Sequence, residues 1–309
     1  MSGSRTPATV SPSALADVGP LLDALRGVQW PAQGRLAAGP PGVHHSRRRS
    51  TGSELTEYRP YRQGDDPRRL DWKLLARTDR AFVRITDDHA IWPTMLIVDA
   101  SASMAFPTDG RTKWQVARAL ALGLASVAHA GGDPVGLMVA SGDELARFPP
   151  TTRRDTVAAL AAVLGTVAPR GVAHLGRCLA RAGTFTRGRS GRVVVIGDFL
   201  DPDVPALVRA ARTSDGEWYA IHLVARAELD PPTDAQVVSD PEDPTVRRTW
   251  TSRTRAAYDD AFRAWRAGLQ AEWLAAGASF LLATTDDPAD RLVRRVTRLA
   301  FDRTVPAIR

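Results

Sequence analysis

Residues 95–104 read Met95-Leu96-Ile97-Val98-Asp99-Ala100-Ser101-Ala102-Ser103-Met104. An apolar run suited to a buried strand ends abruptly in Asp99-x-Ser101-x-Ser103. Three short oxygen-bearing side chains at alternate positions, just past such a strand, form a concave ring of hard ligands. That donor set suits a hard divalent cation such as Mg²⁺, which prefers oxygen and keeps some of its waters. The same residues also read as a Ser-rich loop with a helix-capping Asp, and the spacing alone does not separate the two.

Downstream, strand and helix patterns alternate. A helical pattern starts at Lys113, with Trp114, Ala117, Leu120, Ala121 and Leu124 at helical spacing, and Gly131-Gly132 ends it. A short apolar run from Val135 to Ala140 follows, then predicted helices over Thr156–Val167 and Leu175–Ala182. Arg192–Ile196 is a clean buried strand leading into Gly197-Asp198; Val204–Arg212 reads as helix and Trp218–Val224 as strand. Val- and Ile-rich strands separated by helices of ten or more residues predict a doubly wound α/β layer with a mostly parallel sheet. Ligand sites in such layers lie outside the carboxyl ends of the strands. Asp99, Ser101, Ser103 and Asp198 all fall at such ends. Two strands far apart in sequence that deliver carboxylates to one edge favour a cation site over a capping loop.

The C-terminal third completes the layer. Gln236–Ser239 and Val246–Trp250 read as a hairpin around a proline-rich turn. From Arg253 a long helix carries Tyr258, Phe262, Trp265, Leu269 and Trp273 at helical spacing, an aromatic stripe expected to pack in the core. Gly277 stops it, and Ser279–Ala283 and Pro288–Leu299 read as a last strand and helix.

Composition narrows the function classes. The 309 residues are 44% hydrophobic, enough for a substantial core. No apolar stretch is long enough to span a membrane, and the polar N-terminus lacks a signal-peptide core, so no membrane span is expected. The single cysteine, Cys178, allows no intramolecular disulfide and points to a cytoplasmic protein. Net charge is +7, carried mostly by arginine. It admits a nucleic-acid-binding module working through Arg47-Arg48-Arg49, but no helix-turn-helix, stacking sheet or zinc pattern accompanies that cluster. An acidic partner fits the charge equally well. No Ser-His-Asp order, HExxH, P-loop or GxSxG motif appears, so covalent and zinc chemistry lack support. Phosphatase-like aspartate chemistry needs a second acid two residues after Asp99, where Ser101 stands.

The segment from His44 to Arg84 is dense in charge yet carries Tyr58, Tyr61, Leu70, Trp72 and Phe82, so it is expected to fold onto the main domain. Arg59, Arg62, Arg68 and Arg69 with Asp65, Asp66 and Asp71 suit an internal ion-pair network or a partner-facing surface. The same acids admit a Mg-dependent hydrolase or nuclease, although adjacent carboxylates alone support it weakly.

The string Tyr58-Arg59-x-Tyr61-x-x-Gly64-Asp65-Asp66-x-Arg68-Arg69-Leu70-Asp71-Trp72-x-x-x-Ala76-Arg77, followed by Asp99-Ala100-Ser101-Ala102-Ser103-Met104, resembles the signature of a bacterial family. That family is catalogued as domain of unknown function fifty-eight and carries a von Willebrand factor A-like domain; the D-x-S-x-S spacing resembles that domain's metal-ion-dependent adhesion site. The resemblance runs from about His45 to the final helix. It implies a Rossmann-type sheet, a site for Mg²⁺ (or Mn²⁺ or Ca²⁺) built from Asp99, Ser101, Ser103 and Asp198, and pairing with a MoxR-type AAA+ ATPase. It implies a non-enzymatic interaction module that grips an acidic group, including that of an acidic client protein. Members often carry two N-terminal transmembrane helices; this chain is similar to the soluble branch. One departure stands out: the loop Gly171–Gly176 places Ala173 where the resemblance implies a Thr ligand. The expected organisation is a leader with a short helix over 1–43, a signature extension over 44–93 and the von Willebrand factor A-like domain over 94–309.

Overall fold

The Met95–Val98 run becomes a central strand because its residues alternate between two apolar layers. The computed structural model describes residues 18–32, 41–62, 70–178, 191–231, 237–239 and 245–302. In chain order the elements are α1 (Gly19–Ala24), β1 (Pro41–Pro60), α2 (Trp72–Thr78), β2 (Phe82–Ala90), β3 (Thr94–Asp99), α3 (Lys113–Ala130), β4 (Val135–Ser141), β5 (Glu144–Thr151) and α4 (Thr156–Thr166). Then follow β6 (Arg192–Gly197), α5 (Val204–Arg212), β7 (Glu217–Val224), α6 (Arg226–Leu229), β8 (Val237–Ser239), β9 (Arg247–Thr249), α7 (Ser252–Ala275), β10 (Ser279–Thr284) and α8 (Ala289–Asp302).

Six strands form one sheet in the order β10-β7-β6-β3-β4-β5. All pairings are parallel except β4 with β5. This is the doubly wound α/β layer that the alternating pattern predicts. The order reverses between β3 and β6, the switch point beside which such sheets place their ligands.

Side chains alternate across the sheet with period two. Leu96 and Val98 join a core with α3, α4 and α8, while Met95 and Ile97 join a second core with α5 and the end of α7. Both faces are covered, so the strands read as continuous apolar runs. Helix α3 is held by a capping box: the Gln115 N–H donates to Thr112 Oγ1 at 3.1 Å and the Thr112 N–H to Gln115 Oε1 at 3.0 Å. Its Gly123 lets α8 approach; a Cβ there would lie 2.6 Å from Val293 Cγ2.

At the amino end of the sheet, the first residue of β6 ties three segments together. The buried Arg192 guanidinium donates to Asp133 Oδ2 at 3.1 Å, Glu217 Oε2 at 3.2 Å and the Trp30 carbonyl at 2.6 Å, and lies 4.5 Å from the centre of the Trp30 ring. Val18, Leu25 and Trp30 are buried in the first core. Residues 18–30, read from sequence as part of a polar leader with a short helix, therefore pack as part of the α/β unit.

Four elements differ from the sequence pattern. Strand β5 carries Pro149 and Pro150, which signal a break, but as an edge strand it needs donors on one side only. β1 and β2 form a separate antiparallel ribbon that no alternation announced. On α7 only Leu269 and Trp273 of the aromatic stripe are buried; Tyr258, Phe262 and Trp265 are half-buried and stack on one another at 5.3 and 5.7 Å. The hairpin forms, with Val238 opposite Arg248. Of the helix expected over 175–182, residues 175–178 are helical and the rest lie outside the described residues. Among the described residues, no helix is long and apolar enough to cross a membrane.

Candidate functional site

Strands β3 and β6 run side by side, Val98 opposite Ile196, so Asp99 and Asp198 leave the same edge at the switch point. The chain then folds back in a short 3₁₀ turn over Ala102–Ala105 that turns Ser101 and Ser103 inward. Asp99 Oδ1 accepts the Ser101 N–H at 2.7 Å, which shapes the loop. The hydroxyls of Ser101 and Ser103 lie 3.0 Å apart, and Ser103 Oγ donates to Asp198 Oδ2 at 2.6 Å. Ser103 has one proton and gives it to Asp198, so Ser101 donates to Ser103. The four residues singled out in the sequence thus meet in one buried cluster across 95 positions of chain.

The backbone after β6 is shaped to the same end. Phe199 adopts φ 58°, a left-handed conformation that costs a non-glycine residue about 1–2 kcal/mol. Its ring is locked in place against His222 and Trp273, with centroids 5.8 and 5.5 Å away. The turn lets Asp198 Oδ1 accept the Leu200 N–H at 3.2 Å while Oδ2 faces the serines. Glycine at 197 is required by close approach: a Cβ there would lie 2.7 Å from Asp99 Cβ.

Two residues that the sequence reading passed over complete the cluster. Lys113, the first residue of α3, has no exposed surface, and its ammonium donates to Asp198 Oδ2 at 2.8 Å and to Glu228 Oε1 at 2.7 Å. Glu228 holds its place through Oε2, which accepts the Ala225 N–H at 2.6 Å. A lysine on the first turn opposes the helix macrodipole, and that misfit is the signal that would have flagged it. Glu228 carries no comparable signal.

The electrostatics divide the two aspartates. Burial and then the neighbouring Asp198 charge push the Asp99 carboxyl up to about 8. Burial also acts to raise Asp198, but the Lys113 ammonium and the Ser103 hydroxyl outweigh it and hold its carboxyl below the usual range. Burial acts to lower Lys113, and Asp198 and Glu228 together raise it above its ordinary value. Asp198 is therefore ionised, with its charge fixed in place, while Asp99 Oδ2 is buried and makes no hydrogen bond.

These observations test the fit of a small hard cation. Oxygens about 2.0–2.1 Å from an octahedral Mg²⁺ stand about 3.0 Å apart along an edge. The Ser101 and Ser103 hydroxyls have that separation, 3.0 Å. The orphaned Asp99 oxygen is of the kind that a metal-bound water satisfies. The loop that leads to Ala173 is tied to the serine loop: the Arg170 N–H donates to the Ala100 carbonyl at 2.9 Å and the Ala102 N–H to that of Gly171 at 2.8 Å. Ala173 in that loop is buried among apolar residues and contributes no side-chain oxygen. The residues present fit the ion with one protein ligand fewer.

The other candidates fare differently. Asp71 is the N-cap of α2, accepting the N–H groups of Lys73 and Leu74 at 3.0 Å each, so its carboxylate has a structural task. Asp65 and Asp66, with Gly64, Arg68 and Arg69, lie outside the described residues. Arg47, Arg48 and Arg49 lie on β1. Among the described residues, no group of three or more His, Cys, Asp and Glu side chains could hold a metal.

Comparison with known proteins relates the chain to a family. The model of a family described as "Protein of unknown function DUF58" matches residues 57–268. The uncharacterised protein Rv1480 of Mycobacterium tuberculosis is 31% identical over 254 residues, covering 80% of each chain. A conserved hypothetical protein, BatB from Bacteroides thetaiotaomicron, superposes with a TM-score of 0.45 at 15% identity, over 68% of this chain and 99% of that one. The SpRpn10 VWA domain gives a TM-score of 0.39 at 11% identity, over 68% and 97% of the two chains.

Proposed function

The chain belongs to the DUF58 family, and from that premise we propose that it is a non-enzymatic protein-interaction module whose docking point is a divalent-cation site at the sheet switch point. The single observation that carries this reading is the cluster itself. Ser103 meets Asp198 at 2.6 Å, with a second hydroxyl 3.0 Å away and an unpaired carboxylate oxygen buried beside them. Ser101 and Ser103 are the direct ligands, and Asp99 and Asp198 hold the ion's waters. An Mg²⁺ or Mn²⁺ ion held by these residues would supply a positive centre for a partner's carboxylate.

The protein's own residues preorganise that centre. The Asp99–Ser101 bond fixes the loop, and the Lys113 and Leu200 contacts fix Asp198 before any partner arrives. Preorganisation of this kind reduces the ordering cost of association, and charge complementarity gives it specificity. The partner we propose is a MoxR-type AAA+ ATPase, with an acidic client protein gripped at the same point during complex assembly or maturation. We place this activity in the cytoplasm, consistent with a chain whose single cysteine, Cys178, is buried.

Capture of the cognate ATPase by the full chain tests the reading. Binding is expected in Mg²⁺ and lost both in EDTA and in the S101A/S103A double variant. Capture that is indifferent to EDTA and to the double variant refutes it.

A further inference from the structure

We propose that Lys113 is the charge-setting residue of the cation site: its buried ammonium offsets the Asp198 carboxylate beside the hydroxyl pair and so lowers the affinity of the site for a divalent ion. The inference rests on the cation-site reading above and deepens it.

The placement of Lys113 is hard to explain otherwise. Its ammonium is fully buried on the first turn of α3, where the helix end is already positive. The helix does not need it, because Thr112 and Gln115 supply the cap. Both of its hydrogen bonds go to carboxylates, one of which, Asp198, also receives the Ser103 hydroxyl. Lys113 therefore sits one carboxylate oxygen away from the hydroxyl pair, sharing Asp198 Oδ2 with Ser103.

Asp198 is the carboxylate that meets the hydroxyl pair, and the Lys113 ammonium shares it with Glu228, which reaches the cluster only through that lysine. Asp201, the next carboxylate outward, has both oxygens bound to backbone, accepting the Leu175 N–H at 2.9 Å and the Asp203 N–H at 2.5 Å. A neutral residue in place of Lys113 would leave the Asp198 charge beside the two hydroxyls without its buried counter-charge. Inside a protein such a change acts strongly on a nearby ion, because screening by water is weak.

Calorimetric titration of the full chain with Mn²⁺ tests this through a charge cycle. K113M removes one positive charge and is expected to tighten Mn²⁺ binding by about tenfold or more, a factor equivalent to about 1.4 kcal/mol. E228Q removes one negative charge at a partly exposed position and is expected to weaken binding by about the same factor. The K113M/E228Q double variant restores the native sum and is expected to bind within about threefold of the unaltered protein. A purely structural role for Lys113 gives the opposite pattern: each single variant weakens binding and the double is weakest. If K113M does not fold, E228Q and the double variant still separate the two patterns. Unaltered protein that binds Mn²⁺ while K113M fails to tighten it overturns the inference and leaves the cation site standing. No binding by either protein overturns both. Binding by K113M alone upholds the charge-setting role and overturns the divalent site in the native chain.

Discussion

Replacing Gly197 with Ala places a methyl carbon 2.7 Å from Asp99 Cβ and 2.9 Å from Asp99 Oδ2. The strands cannot part to relieve it, because β3 and β6 are hydrogen-bonded neighbours along their length. Turning the Asp99 side chain takes Oδ2 out of the way and gives up the 2.7 Å bond from the Ser101 N–H, while Cβ stays where the backbone holds it and the remaining overlap strains the two strand ends. Overpacking of this kind costs about 1–3 kcal/mol. A buried donor left without its acceptor adds about 1–3 kcal/mol more. A loss of about 3 kcal/mol in urea unfolding, followed by tryptophan fluorescence, is therefore expected for G197A. A double-mutant cycle isolates the cause. In an Asp99→Gly background the offending Cβ is gone, and the same glycine replacement is expected to cost about 1 kcal/mol or less, a coupling of about 2 kcal/mol. Additivity of the two changes within about 0.5 kcal/mol refutes the proposed contact.

Four further outcomes follow from the same geometry. Ala173→Thr returns a hydroxyl to the loop beside the serines and is expected to tighten Mn²⁺ binding about tenfold, read by calorimetry; unchanged affinity shows that this loop does not face the ion. S101A/S103A is expected to abolish Mn²⁺ binding while costing no more than about 2 kcal/mol in urea unfolding, since both partners of the hydroxyl pair are removed together. Arg192→Met strands the buried Asp133 carboxylate and is expected to cost about 3–5 kcal/mol, with new protease cuts near Trp30; a loss under about 1 kcal/mol contradicts the ion-pair account. His222 is held neutral by burial, its pKa pushed down to about 3 from 6.5. The unfolded chain takes up that proton near pH 6.5 while the fold refuses it, so stability falls as pH drops through 6.5, by about 2 kcal/mol at pH 5. His222→Phe is expected to remove that part of the acid limb, and an unchanged pH profile rules His222 out as its source.

Much of the layer was legible because parallel strands covered on both faces leave an unmistakable mark. Met95–Val98 and Arg192–Ile196 are apolar without interruption, and the helices between them are long enough to cross over. Three strands were not legible: β5 hides behind Pro149 and Pro150, and β1 and β2 lack regular alternation. At the site, Asp99, Ser101 and Ser103 could be read because their spacing is local. Asp198 could be read because it ends a second buried strand. Lys113 and Glu228 could not, since their pairing depends on where α3 and α6 land around the switch point, 115 residues apart in sequence. Gly197 looked like an ordinary strand end, and only the approach of Asp99 reveals why no side chain is tolerated there.

The Arg192–Trp30 tie has a practical consequence for where this protein can be cut. A shortened chain that starts at the first strand of the central sheet would keep every β-segment yet strip an aromatic lid and a carbonyl from a guanidinium that water cannot reach. The smallest piece able to fold unaided thus begins upstream of Trp30, well before the boundary that the strand pattern suggests. Fusion partners or affinity handles joined just after that tryptophan would leave the same charge uncovered at the base of β6, six residues before Asp198 at its other end.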